Sequence, residues 1–442
     1  MLKTTDNNCG SLKLEDCDKE NLSKIANVKI SEIDLENNKN LLIFPDCLGF
    51  YGDRIHNNHV FSIDKSVLTT GNIMGFVGLN NSELTINSRF SSSEEDFFLH
   101  YMLQKVFSIN VFDLKHSYNS ENIFDFLLYL FPYFLKKALR QGLYKQYETK
   151  KYNNSNVRGK IDVNNHLKKN IPFNGRIAYS CRELSYDNRI NQLIRHTVEH
   201  IQKYQTGHQI LNNDQETKSY VNNIISATPT YNKQCRNSII DQNHKFISHP
   251  FFNEYRELQN ICLQILCYNG LKYGHEKDKV YGLLFDGAWL WEEYLSTLLN
   301  SLHFIHPENN LAKNPIYIFQ GNKGKRYPDF WKDDFILDAK YKKIINLDID
   351  RNDLHQIICY MYIKQAKTGG IISPTDVYDK LYHRSLGNMN GYGGSLKIWL
   401  LPISKEVKSY KNFSLEMCMA EKEFIASINE CYLNDLSVTH TP

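Results

Sequence analysis

Between Arg326 and Lys342 the chain reads RYPDF, then Trp331 and the polar triplet Lys332-Asp333-Asp334, then FILDAKYK. Two β-prone runs flank a triplet that favours a tight chain reversal. Side chains alternate faces along a strand, so Phe335, Leu337, Ala339 and Tyr341 point one way and Ile336, Asp338, Lys340 and Lys342 the other. Asp338 and Lys340 therefore share a face, and any fold this chain adopts has to accommodate that hairpin.

Metal-dependent phosphodiester hydrolysis needs carboxylates to hold a hard cation through oxygen and a cationic side chain near the attacking water or the phosphate. The hairpin offers both. Asp329 and Asp338 are candidates to ligate one Mg²⁺, with the Ala339 backbone carbonyl as a further oxygen. Lys340 is placed to orient or activate the water or to steady the phosphorane-like transition state. The competing reading makes Asp338 and Lys340 the solvated face of an edge strand. Context favours the chemical reading: Pro328-Asp329 lies upstream of Asp338 across a turn, and Trp291-Glu292-Glu293-Tyr294 on a preceding helix makes Glu292 a further candidate carboxylate. Downstream, Asp353 to Tyr360 reads as a helix with Gln356 and Tyr360 on one face. The pattern resembles the metal-binding hairpin of PD-(D/E)xK nucleases.

With 442 residues the chain is long enough for two or three packed domains. Residues 1–38 are polar and lack aromatics, which predicts a loosely ordered leader or a peripheral element. From Lys39 to Phe90 short apolar runs alternate with Gly, Asn, Asp and Ser, as in a small barrel or sheet. Ser91 with Glu94, or Ser92 with Glu95, offers a capping box before the apolar stretch FFLHYMLQKVF. Further helices are expected from about Asn122 to Lys150, over 185–204 and over 252–269. A boundary near 245 divides an N-terminal domain, 39–245, from a C-terminal domain, 246–442.

Composition excludes more than it assigns. A formal charge of +3, from 52 basic and 49 acidic residues, means that any nucleic-acid contact relies on local basic patches. The ten cysteines are scattered with no CxxC pair, the usage of reduced thiols in a cytoplasm. The polar, acidic N-terminus is not a secretion signal, and the most apolar run, Ile123 to Leu135, is too short to span a membrane and contains Asp125 and Pro132. GNKGKRY at 321–327 and KTGG at 367–370 do not form a P-loop, so the chain carries no nucleotide-binding motif of that kind. His56 with His59, His196 with His200, and His303 with His306 lack the partners of a recognised zinc site, and Thr197 stands where HExxH needs Glu.

The region from about 280 to 365 resembles the C-terminal half of McrC-type proteins, the nuclease subunits of McrBC-like restriction systems specific for 5-methylcytosine or related DNA. FDGAWLWEEYL (285–295) is similar to the family's helix and maps its acidic position to Glu292; RYPDF and ILDAKYK resemble its metal-binding strands, and DLHQIICYMY its Gln-to-Tyr helix with Gln356. GFVGLNNSELTINSRF (75–90), RGKIDVNNHL (158–167) and SYDNRINQLIRHTV (185–198) extend the likeness to most of 70–365. Ser88-Arg89 and Gly287-Ala288 depart from the pattern, where Pro-Lys and Met-Asn are expected.

The resemblance implies a mixed α/β chain in which a β-rich plus helical domain binds a partner and a PD-(D/E)xK restriction-endonuclease-like domain follows. It implies Mg²⁺ as cofactor, double-stranded DNA as substrate, and a McrB-type AAA+ hexamer hydrolysing GTP or ATP as partner, in the cytoplasm. The N-terminal half would insert into the ring of that partner, with the helices near 122–150 and 185–204 as candidate elements. The rivals are an inactive adaptor that only stimulates the AAA+ partner, and a stand-alone repair nuclease.

Overall fold

The computed structural model describes residues 2–30, 40–45, 59–79, 82–91, 96–107, 120–204, 207–212, 214–268, 280–307, 315–344, 348–377, 383–391, 393–405 and 407–438. They group into two compact units, Met1–Ile123 with His275–Pro442, and Phe124–Gly274. This is not a division at 245. The first unit is discontinuous because the strand Val280–Asp286 pairs antiparallel with Ile73–Leu79 and parallel with Asn40–Phe44. Sequence order suggested consecutive domains, whereas a strand finds its partners by register and burial, over any separation.

In the first unit a five-stranded sheet runs in the order Leu2–Thr5, Ser82–Asn87, Ile73–Leu79, Val280–Asp286, Asn40–Phe44. Its centre is the uninterrupted apolar run IMGFVGL, buried along its whole length as expected of a strand covered on both faces. Gly75 has φ +122°, and a Cβ there would lie 2.0 Å from the Leu283 carbonyl oxygen, so only glycine permits that strand contact. A smaller sheet orders Leu12–Lys13, Val67–Thr70 and Phe61–Asp64. The β-rich reading of 39–90 is thus found, as two sheets.

The leader is not loose. Leu2–Thr5 pairs in parallel with Ser82–Asn87, and Leu14, Leu22, Ile25 and Ile30 join the hydrophobic core. Its apolar residues are few and scattered among Asn, Asp and Lys, so mean composition hides the burial of these side chains. Ser92, Glu94 and Glu95 of the expected capping box lie outside the described residues, as does His56. The helix Phe97–Phe107 forms where expected, and Leu99 N–H donates to Asp96 Oδ1 at 3.0 Å.

The second sheet of this unit orders Phe330–Lys332, Phe335–Ala339, Thr368–Thr375, Ser395–Pro402 and His383–Asn388, with the three middle strands parallel. Phe330–Lys332 and Phe335–Ala339 form the expected hairpin around a two-residue turn, Asp333-Asp334, with Asp333 at φ +50°. Helix Arg351–Lys364 places Ile357, Tyr360 and Met361 into a core with Ile336, Ile371 and Leu396.

The second unit is built on helices. Arg189–Ile201 is capped by Asn188, whose side chain accepts from the Ile190 and Asn191 N–H groups, and buries Ile190, Leu193, Ile194, Val198 and Ile201. Tyr255–Tyr268 buries Leu258, Ile261 and Ile265. The helix expected over 122–150 is Ser120–Leu139: it ends ahead of Gly142, at φ +92°, and Gln146–Asn154 is a strand. Lys145, Lys150 and Lys151 therefore sit on or beside a strand, not on a helix. Gln146–Asn154 pairs antiparallel with Ile177–Ser185, and Lys160–Ile161 adds a third strand. Among the described residues no helix is long and apolar enough to cross a membrane.

Candidate functional site

The hairpin register Phe330↔Leu337 sets Asp329, one residue before its strand, opposite Asp338. Both are carried into the interior: Asp338 is fully buried and Asp329 is 6% exposed. Flanking Phe330, Ile336 and Leu337 are buried too, so packing of the hydrophobic hairpin fixes the carboxylates in place. The Ala339 N–H donates to Asp329 Oδ2 at 2.7 Å, which ties the two strands together at the acidic pair. Lys340 Nζ lies 2.7 Å from Asp338 Oδ2. Strand alternation had placed these two side chains on one face, and they meet there.

A relay extends from the lysine. Lys340 Nζ donates to Gln356 Oε1 at 3.0 Å, Gln356 Nε2 donates to the Tyr360 hydroxyl at 2.8 Å, and that hydroxyl donates to the Tyr327 carbonyl at 3.2 Å. Gln356 and Tyr360 are one helical turn apart, so both reach the hairpin from one face of Arg351–Lys364.

Electrostatics follow from this geometry. Burial pushes the Asp338 carboxyl up to about 8, and the neighbouring Asp329 adds to the rise while Lys340 opposes it. Burial also raises Asp329, against the pull of Lys340. Burial alone lowers a lysine, yet Asp338 and Asp329 outweigh it and hold Lys340 above its ordinary range. Two acids share one ammonium, and the site is short of positive charge.

Glu292 and Glu293 separate here. Both are partly buried on helix Gly287–Leu299, and Glu293 reaches toward the centre: its Oε1 is 3.9 Å from His306 Nε2. His306 Nδ1 donates to the Asp329 carbonyl at 2.7 Å, and its ring stacks on Phe330 with centroids 4.7 Å apart. Burial pulls His306 down, but Glu293 and Asp329 prevail and raise it. Among the described residues no three His, Cys, Asp or Glu side chains are grouped so as to hold a metal ion. The sequence offered His306 only as half of a rejected zinc pair with His303, and Glu293 only as the neighbour of Glu292.

The chemistry of the donors still suits a hard divalent cation. Asp338 Oδ1 is buried and takes no hydrogen bond from an N–H donor or hydroxyl, and the Asp329 carboxyl stands beside it. Asp329, Asp338 and the Ala339 carbonyl are the residues able to hold such an ion.

Residues 68–374 match the family described as McrBC 5-methylcytosine restriction system component. The chain belongs to this family. The match spans the three middle strands of the β-rich sheet and the Asp329–Asp338–Lys340 centre of this McrBC-family chain. Among solved structures it is similar to a chain of the refined half-complex from the tetradecameric assembly of Thermococcus gammatolerans McrB AAA+ hexamers with bound McrC, at 15% identity and TM-score 0.49, covering 93% of this chain and 95% of that one. A chain of the Thermococcus gammatolerans McrBC complex is similar at 12% identity and TM-score 0.31, over 68% of this chain and 87% of that one. No curated protein sequence matches.

Proposed function

We propose that this McrBC-family chain is the McrC-type nuclease subunit, hydrolysing DNA phosphodiester bonds with Mg²⁺ in concert with a McrB-type AAA+ nucleotidase. The observation that carries the reading is the buried pair Asp329 and Asp338 against Lys340, two carboxyls sharing one ammonium out of water. A structural edge strand would leave these groups in water, where opposite charges gain little; burying them is unfavourable unless a further cation is expected.

Mg²⁺ held by Asp329, Asp338 and the Ala339 carbonyl would supply Lewis-acid polarisation of the phosphate and a more acidic water. Lys340 Nζ, 2.7 Å from Asp338 Oδ2, would orient or activate the attacking water or steady the charge of the transition state. Gln356 holds that ammonium toward the acidic pair, and Tyr360 holds Gln356. His306, through the Asp329 carbonyl, fixes the strand that carries Asp329.

For the partner-engaging element we favour the sheet of 146–185 over the helices first considered, because those helices spend their apolar faces on the core of their own unit. The segment 161–173 that links two strands of this sheet instead leaves Ile161, Val163, Leu167, Ile171 and Phe173 exposed by 50–69%. Nine basic side chains against three acidic ones lie between 145 and 186, in a chain whose total is only +3. An exposed apolar tip rimmed by charge is the composition of a docking surface.

The test is cleavage of methylated and unmodified duplex DNA by the chain with its AAA+ partner, nucleotide and Mg²⁺. Cleavage by the wild type and its loss in Asp338→Ala are expected. Cleavage undiminished in Asp338→Ala would overturn the catalytic assignment.

A further inference from the structure

The Phe335–Ala339 strand stops one residue before Lys340, which keeps a single ladder bond, from its N–H to the Ile372 carbonyl at 2.8 Å. Where the Lys340 side chain points is then decided by where Tyr341 is anchored, since the two residues share a peptide unit. Tyr341 is held from the other sheet of its unit. Ser88 Oγ lies 2.7 Å from the Tyr341 hydroxyl. Arg89 Nη2 donates to the Tyr341 carbonyl at 3.0 Å, and the guanidinium sits 4.8 Å from the centre of the Tyr341 ring.

Arg89 is itself fixed by Asp6, a fully buried carboxylate 2.9 Å from Nη2 whose other oxygen accepts the Arg89 N–H at 2.6 Å. Gly287 leaves room for the ring: a Cβ there would lie 2.8 Å from Tyr341 Cε1. Ser88, Arg89 and Gly287 all close on this one side chain.

We infer that Asp6 and Arg89 are positioning residues for Lys340, acting through Tyr341, so that the N-terminal strand of the chain sets the geometry of the proposed centre more than 300 residues later. The inference rests on the nuclease reading for its effect on rate, and on the contacts alone for its effect on the hairpin. A planar guanidinium that reaches a carboxylate and a carbonyl while covering an aromatic ring cannot be replaced by an ammonium without losing one of them. Small displacements of a group beside the reacting atoms reduce turnover more than binding.

The experiment compares wild type, Arg89→Lys and the double variant Asp6→Asn with Arg89→Gln, each with the AAA+ partner, nucleotide and Mg²⁺. The double variant removes both charges together and so leaves no buried ion unpaired. Two quantities are read: kcat and KM for DNA cleavage, and amide hydrogen exchange over residues 335–343 by mass spectrometry in the chain alone. Both variants are expected to melt close to wild type, to exchange faster over 335–343, and to lose about tenfold in kcat with KM unchanged.

A charge pair that merely stabilises the fold would be rescued by Arg89→Lys. Full kcat and unaltered exchange in that variant overturn the inference, as does a double variant whose only change is in melting. If wild type fails to cleave, the nuclease reading falls by itself, and the exchange measurement still decides whether Arg89 holds the hairpin.

Discussion

Asp338→Asn turns the buried acidic pair into a measurement. In the metal-free protein Asp338 is fully buried and its carboxyl is pushed up to about 8, by burial first and Asp329 second. A free aspartate titrates near 3.9. The folded value lies above the unfolded one, so the stability associated with the protonated group is complete below about pH 4 and is lost as pH rises through 8. Each tenfold change in proton affinity corresponds to about 1.4 kcal/mol, which puts the burden of the anion at pH 9 on the order of 5 kcal/mol at most.

An amide has nearly the same shape and no charge. In EDTA at pH 9 the variant should therefore melt above wild type, by roughly 5–10 °C at about 2 °C per kcal/mol. At pH 5 the two should differ much less. Millimolar Mg²⁺ should reverse the order at pH 9, because binding to the folded state stabilises wild type in proportion to RT ln(1 + [L]/Kd) and the amide of the variant supplies no anionic ligand. Scanning fluorimetry at pH 5, 7 and 9, with EDTA or Mg²⁺, reads all of this. A variant that melts below wild type at pH 9 in EDTA would refute the reasoning and make Asp338 a structural anion held by Lys340.

Gln356→Ala removes the acceptor that holds Lys340 Nζ and should lower kcat about tenfold with little change in KM or melting, measured as steady-state cleavage. Deleting residues 2–30 removes Leu14, Leu22, Ile25 and Ile30 from the core, each contributing roughly 1.5–3 kcal/mol by burial, and should give insoluble protein on expression. Replacing Lys150, Lys151, Lys160 and Arg182 by Gln should weaken co-purification with the AAA+ partner, with the largest difference from wild type at low salt, while far-UV circular dichroism stays unchanged.

What the sequence made legible was local. Strand alternation paired Asp338 with Lys340, and helical spacing paired Gln356 with Tyr360, because each relation spans a few residues of one element. The β-rich character of 39–90 was legible for the same reason. The division at 245 failed because Val280–Asp286 has no sequence mark naming its partners, and the leader was misread because a few buried residues such as Leu14, Leu22 and Ile25 do not lift the mean hydropathy of a polar stretch. The helix expected up to Lys150 ends at Leu139, since the strand partner Ile177–Ser185 outweighs the helix propensity of Lys and Glu in 145–151. That Glu293 reaches His306 was not legible, because adjacent residues point about 100° apart around a helix and only tertiary packing shows what each one meets.

The strand Val280–Asp286 also sets a timetable for biosynthesis. Among the described residues Asn40–Phe44 pairs in its sheet with this strand alone, and Ile73–Leu79 takes it as one of two neighbours. At about 5–20 residues per second, the roughly 200 residues after Leu79 keep a ribosome occupied for some 10–40 s before Val280 is made. Throughout that interval one strand has no hydrogen-bonding neighbour and the most apolar strand of the sheet has a bare edge. A cell that makes this chain has to keep that edge from pairing with another copy, and the demand on its chaperones grows with every residue inserted between 124 and 274.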